Sequence, residues 1–192
     1  MFFSKTLAAA SLFLGASTAL PAATTDAALP ADAKFHIMAL RSASPVHFAH
    51  FKAAHKSLFV NLPAQNASCD STDDADDATF YLKDGGLFLY AASATPQQLY
   101  ADRSGMGQGK VGYTTGAEPT PNDAERTGWV LDDTNHLTLA GASFLACPNS
   151  TDNAWSVWVS SDVEKPAGLE GCLGVSALAV EAPNPNGCVY TQ

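Results

Sequence analysis

Residues 79–91 read TFYLKDGGLFLYA. Two short runs of aromatic and aliphatic residues, 79–83 and 87–91, flank Asp84-Gly85-Gly86. Glycine enters positive φ at no steric cost, so this triplet closes a β-hairpin. The same pattern repeats outward along the chain. GWVLD (128–132) and HLTLA (136–140) flank Asp133-Thr134-Asn135, FHIMAL (35–40) ends at the turn-forming SASP, and SLFVNL (57–62) ends at Pro63. AWSVWV (154–159), CLGVSALAV (172–180) and CVYT (188–191) complete the set. These runs are short and alternate apolar with polar residues, the period of half-buried antiparallel strands. About ten to twelve such strands in one domain predict an all-β fold, an antiparallel β-sandwich or a barrel-like domain. A β-trefoil stands as the alternative, although the runs at Leu58, Leu87 and Leu137 are unevenly spaced for a three-fold repeat. HFAHFKAAH (47–55) is the one segment that reads as a helix, and it reads equally well as the second strand of a hairpin.

Composition narrows the function classes. The chain has 192 residues with 46% apolar content, enough for one ordinary domain. Ten Lys and Arg against nineteen Asp and Glu give a net charge of −9. That sign repels phosphate backbones and anionic lipid and leaves no basic stripe for nucleic acid, so DNA, RNA and membrane-surface binding are set aside.

Residues 1–19 are expected to be a cleaved signal peptide. Lys5 precedes an uncharged Ala/Ser-rich run too short to span a bilayer, and Ser17 and Ala19 supply the small residues of a cleavage site. Residues 20–34 read as a polar leader, and 35–192 as the secreted β domain. No second apolar run of membrane length and no hydrophobic tail are found, so no membrane anchor is expected.

The four cysteines, Cys69, Cys147, Cys172 and Cys188, suit an oxidising compartment and are expected as disulfides. Of the three pairings, Cys147 with Cys172 and Cys69 with Cys188 is favoured, as one local and one long-range staple. No C-x-x-C spacing or neighbouring histidine supports zinc. Sequons at Asn66 and Asn149 lie beside Cys69 and Cys147 in polar turns, where a glycan can reach solvent.

Chemical motifs are sparse. GQGKVG (107–112) matches G-x-G-x-x-G, but YTTGAEPTPND follows it and cannot form the helix a dinucleotide site needs, so it reads as a glycine-rich loop between strands. His47, His50 and His55 have spacings that fit neither one helical face nor one strand face, so they read as surface or partly buried residues and not as a metal site. The acidic run Asp70, Asp73, Asp74, Asp76 and Asp77 lacks the glycine and terminal glutamate of a calcium loop. There is no G-x-S-x-G, and Glu118, Glu125, Glu164, Glu170 and Glu181 form no motif. No catalytic residue, metal or cofactor is therefore assigned. Aromatic rings stack on sugars, which makes Trp129, Trp155 and Trp158, with Arg103 as a hydrogen-bond donor, the candidate carbohydrate-binding residues. Trp155 and Trp158 are three apart and face opposite sides of a strand, which sends at least one to the core.

FHIMALRSASPVHF, then LYADRSGMGQGKVGYTTGAEPTPNDAERTGW from Leu99 to Trp129, then LACPNS, WSVWV, GCLG and the terminal CVYTQ resemble the PhiA family of filamentous ascomycetes. DRSGMGQGKVGYTTG is the most specific part. The resemblance covers nearly all of the chain after the signal peptide, and the four cysteines and the sequon before Cys69 match the family pattern. HFAHFKAAHKS and the pairs Asp73-Asp74 and Asp76-Asp77 depart from it. The resemblance implies a small secreted cell-wall protein with a role in forming phialides and conidia, IgE-binding allergen character, and no enzymatic activity or cofactor. The expected function is thus a non-catalytic wall glycoprotein, whose partners are wall polysaccharide or other wall proteins. The alternative is a lectin-like module that binds wall polysaccharide.

Overall fold

The computed structural model describes residues 28–72 and 76–192. The expected signal peptide and the start of the leader lie outside them. The chain folds as β1 (Phe35–Leu40), β2 (Phe51–Ala54), β3 (Ser57–Val60), β4 (Ser68–Cys69), β5 (Phe80–Lys83), β6 (Gly86–Leu89), β7 (Gln97–Asp102) and β8 (Lys110–Thr115). It continues with β9 (Ala124–Glu125), β10 (Trp129–Leu131), β11 (His136–Leu139), β12 (Phe144–Cys147), β13 (Trp155–Val159), β14 (Leu173–Glu181) and β15 (Cys188–Val189). Two single-turn 3₁₀ segments, Thr151–Asn153 and Pro166–Gly168, are the helical elements among the described residues.

All pairings between these strands are antiparallel, and they close on themselves. The circuit runs β14, β1, β5, β6, β7, β8, β13, β12 and back to β14. The barrel-like expectation is met, and the trefoil alternative gives way because the circuit shows no three-fold arrangement. Two seams are thin: Phe35 against Phe80 is the register pair joining β1 to β5, and Trp158 against Lys110 joins β13 to β8. The β2–β3 hairpin lies along β13, and β10–β11 along β14.

The interior follows the period-two pattern. Phe35, Ile37 and Ala39 of β1 point inward with Phe80, Leu87, Leu89, Leu99, Tyr113 and Phe144. The hairpin at 79–91 pairs Lys83 with Gly86, so its turn has two residues, Asp84 (φ 51) and Gly85 (φ 74), and Gly86 already belongs to β6. The ambiguous segment 47–55 supplies β2 and not a helix, because Phe51 and Ala53 face the core at strand spacing. Strands β7, β8, β9, β12 and β4 have weak sequence signals. In β7 the inward positions are Gln97, Leu99 and Ala101, so a polar residue occupies a core site.

That glutamine is the clasp for the C-terminal strand. Gln97 Oε1 accepts from the Tyr190 backbone N–H at 2.9 Å, and Nε2 donates to the Tyr190 carbonyl at 3.0 Å and to Thr115 Oγ1 at 3.1 Å. A side-chain amide thereby stands in for a neighbouring peptide group. The Tyr190 hydroxyl accepts from the Thr79 N–H at 2.9 Å, and burial pushes its pKa up to about 12. Disulfides join Cys69 to Cys188 across β4 and β15, and Cys147 to Cys172, the favoured pairing. Leader residues 28–34 are docked on the domain: Leu29 packs against the core and its N–H bonds Asn135 Oδ1 at 2.8 Å.

Candidate functional site

The hairpin between β7 and β8 carries DRSGMGQGK (102–110), and its geometry explains Gly107, where a Cβ would meet Asp102, and Gly109. Asp102 Oδ1 accepts from the Ser104 N–H at 3.0 Å, Ser104 Oγ from the Gly107 N–H at 3.2 Å, and the Asp102 carbonyl from the Gly109 N–H at 2.7 Å. Gly109 has φ +93, and a Cβ there would lie 1.9 Å from the Val159 carbonyl oxygen. Its own carbonyl accepts from the Val159 N–H at 2.8 Å, so this close approach bonds the loop to β13. In β8 a Cβ at Gly112 would meet the Tyr100 hydroxyl at 2.6 Å. The G-x-G-x-x-G string serves backbone packing, in keeping with a glycine-rich loop between strands. Met106, at the tip, is 93% exposed.

Arg103 leaves this loop toward β9, where Glu125 is positioned by pairing with Ala101. The guanidinium donates through Nε to Glu125 Oε1 at 2.7 Å and through Nη2 to Oε2 at 2.5 Å, a two-pronged ion pair. The hydrogen bond from Arg103 holds the Glu125 carboxyl below the usual range, against a smaller upward push from burial. Beside this pair an open groove of about 690 Å³ runs between the loop, the residues entering β12 and the residues leaving β13. Ser104, Asp123, Ser143, Ser160, Ser161 and Asp162 line it with the ion pair. The Ser160 N–H donates to the Ser143 carbonyl at 2.8 Å, fixing the floor. The groove can hydrogen-bond hydroxyls and attract positive charge.

Of the residues chosen from sequence for carbohydrate, Arg103 alone reaches this groove. Trp129 is 1% exposed and packs near-parallel to Phe144 at 6.3 Å between ring centroids, so it is a core residue and presents no face to a sugar. Trp158 is also buried, with its indole N–H donating to Ser156 Oγ at 2.9 Å. Trp155 is half-buried at the far end of the β12–β13 hairpin from the groove. The tryptophan platform is therefore corrected: burying large apolar rings outweighed exposing them. Asp123, Ser143, Ser160 and Asp162 escaped the sequence reading because they come from three separate loops, Ser160 and Asp162 sharing one, that meet only when the barrel closes.

The remaining candidates are dispersed. His50 pairs with Asp77 at 2.5 Å and lies parallel to His36 at 6.2 Å between centroids, while His47 packs on Phe48 and His55 sits exposed in the β2–β3 turn. Burial raises the Asp77 pKa, but the His50 hydrogen bond and charge bring it below its ordinary value. Among the described residues no group of three His, Cys, Asp or Glu is placed to hold a metal ion. Asp73 and Asp74 lie outside those residues. Asn66 and Asn149 are both exposed.

The described residues form a disulfide-stapled all-β barrel with an open polar groove, and the sequence relatives specify its family. The chain belongs to the PhiA-like secreted protein family, whose model matches residues 35–191. It is 51% identical to the cell wall protein phiA of Aspergillus fumigatus over 95% of this chain and 98% of the relative. Identity to cell wall protein phiA of Aspergillus niger is 49%, over 94% and 97%. The cell wall protein phiA of Arthroderma benhamiae is 37% identical over 93% of this chain and 97% of its own. No solved structure matches the chain. The protein is a secreted protein of the cell wall.

Proposed function

We propose that this protein is a non-catalytic, glycosylated component of the walls of conidium-forming cells, acting in phialide and conidium development by associating with wall polymers. The observation that carries this reading is the near end-to-end correspondence with wall proteins, spanning the barrel, both disulfides and the groove. The engagement of the glutamates supports the non-catalytic part. Glu125 is committed to Arg103, Glu118 to Lys56 at 3.0 Å and Glu170 to Lys165 at 2.9 Å. A general acid needs a carboxyl raised toward neutral pH, and the shifts resolved for Glu118 and Glu125 are downward. Exposure of Asn66 and Asn149 supports glycan attachment.

The test combines fractionation with genetics. The protein should remain in washed walls of conidiating cultures, and a deletion strain should form defective phialides or fewer conidia. Complete recovery in the medium, with normal conidiation on deletion, would overturn the proposal. The groove itself favours a second reading, a lectin-like module with Arg103 in its site, which predicts measurable affinity for a purified wall polysaccharide.

A further inference from the structure

The groove has a chemistry that distinguishes one wall polymer from another. The Arg103 charge is cancelled by Glu125 at 2.5–2.7 Å. Asp123 and Asp162 remain, both exposed and, among the described residues, neither of them ion-paired, so the groove carries about two uncompensated negative charges. Hydroxyls of Ser104, Ser143 and Ser160 add donors and acceptors along the walls. The Ser161 hydroxyl, on another lining residue, is itself buried and, among the described residues, has no hydrogen-bond partner. Among the described residues no aromatic or branched aliphatic side chain lines the groove. A ligand that satisfies this surface is hydrated, rich in hydroxyls and positively charged.

The groove is built in advance of any ligand. Its walls are fixed by the two-pronged ion pair, by the Ser160-to-Ser143 bond and by the Gly109-to-Val159 contact. Binding then costs little loop ordering. Its volume of about 690 Å³ falls within the range of small-ligand sites. It opens where β12 begins and β13 ends, while the Cys147–Cys172 bridge sits at the other end of β12, four residues or about 13 Å away, with Asn149 just past it. A glycan on Asn149 would leave the groove open.

We infer that this groove binds a cationic amino-sugar polymer, a partly deacetylated chitin, with Asp123 and Asp162 receiving its amines and the serines its hydroxyls. The inference rests on the proposed association with wall polymers and names the polymer. A neutral glucan would hydrogen-bond the carboxylates through its hydroxyls but leave their charge uncompensated, and an anionic polymer would be repelled by them and by the net charge of −9.

The experiment uses the full-length secreted, oxidised protein. Binding to a glucosamine hexamer and to an N-acetylglucosamine hexamer is measured by calorimetry, and retention is scored on chitosan, chitin, insoluble β-glucan and isolated walls. The glucosamine hexamer should bind and the acetylated one should not. Asp123→Asn and Asp162→Asn should each weaken binding about fivefold, as expected for one exposed charge contact. Added salt should weaken it further. A Glu164→Gln/Glu181→Gln control removes the same charge elsewhere on the exposed surface and should bind like the parent, with thermal melting confirming that every variant is folded. Equal affinity for the two hexamers, or equal losses in the groove and control variants, would overturn the inference. Retention of the Asp123→Asn/Asp162→Asn variant on walls at parent level would overturn the inference and spare the wall-association reading. Failure of the parent to be retained on any wall fraction would overturn that reading itself.

Discussion

Replacing Gln97 by methionine keeps a straight side chain of similar size and removes both hydrogen bonds to Tyr190. Gln97 and Tyr190 are 1% and 2% exposed, so water cannot replace the lost partner without local opening. The Tyr190 N–H and carbonyl would become buried orphans at about 1–3 kcal/mol each, which puts the expected loss near 4 kcal/mol. That is a large share of the roughly 5–15 kcal/mol of a typical domain. With a urea slope of about 2 kcal/mol/M, the midpoint should fall by about 2 M at unchanged slope. Equilibrium urea unfolding of the oxidised protein, followed by tryptophan fluorescence, measures it. A loss below about 1 kcal/mol would refute the clasp as an energetic element. Gln97→Glu adds a sign test. The introduced carboxylate would be buried against the Tyr190 carbonyl, and its pKa in the folded state would rise above the unfolded value. Its stability relative to the parent should therefore be highest below the unfolded value and fall as pH rises through the folded one.

The two bridges should differ in worth: their 119- and 25-residue separations give about 5 kcal/mol for Cys69–Cys188 and about 3.5 kcal/mol for Cys147–Cys172, measured by unfolding of the paired Cys→Ser variants. Gly109→Ala should cost at least about 3 kcal/mol, from strain at φ +93 and the clash with the Val159 carbonyl, and should raise hydrogen exchange along β8 and β13. Asp77 has a lowered folded pKa, so its contribution is present above its unfolded value and is lost as pH falls through the folded one; Asp77→Asn should flatten that part of the stability curve below pH 4 or so. Asn66→Gln and Asn149→Gln should each remove one enzymatically releasable glycan from the secreted protein, seen as a step in mass.

Much of the fold was legible in the sequence because strand periodicity is local. Phe35–Leu40 matches its run residue for residue, and the hairpin at 79–91 follows from two residues that tolerate positive φ. The even cysteine count required bridges in an oxidising compartment. Where polar residues stand at inward positions, as Gln97 does in β7, the periodic signal fails, since only the partner Tyr190, 93 residues away in sequence, makes a buried amide acceptable.

Family membership was carried by short strings, DRSGMGQGKVGYTTG above all, in which Gly107, Gly109 and Gly112 answer to contacts with Asp102, Val159 and Tyr100. The candidate site was not legible in the same way. A tryptophan looks identical in sequence whether it stacks on a ligand or is covered by the fold, and tertiary packing placed Trp129 in the core and buried Trp158 on the other face of β13 from Val157 and Val159. Arg103, Asp123, Ser143 and Asp162 come from separate loops, and no local pattern links them. Closure of the β12–β13 edge onto β8 brought them to one groove. Strand identity was set by neighbours two residues apart, whereas the groove depends on long-range pairing that only the packed barrel supplies.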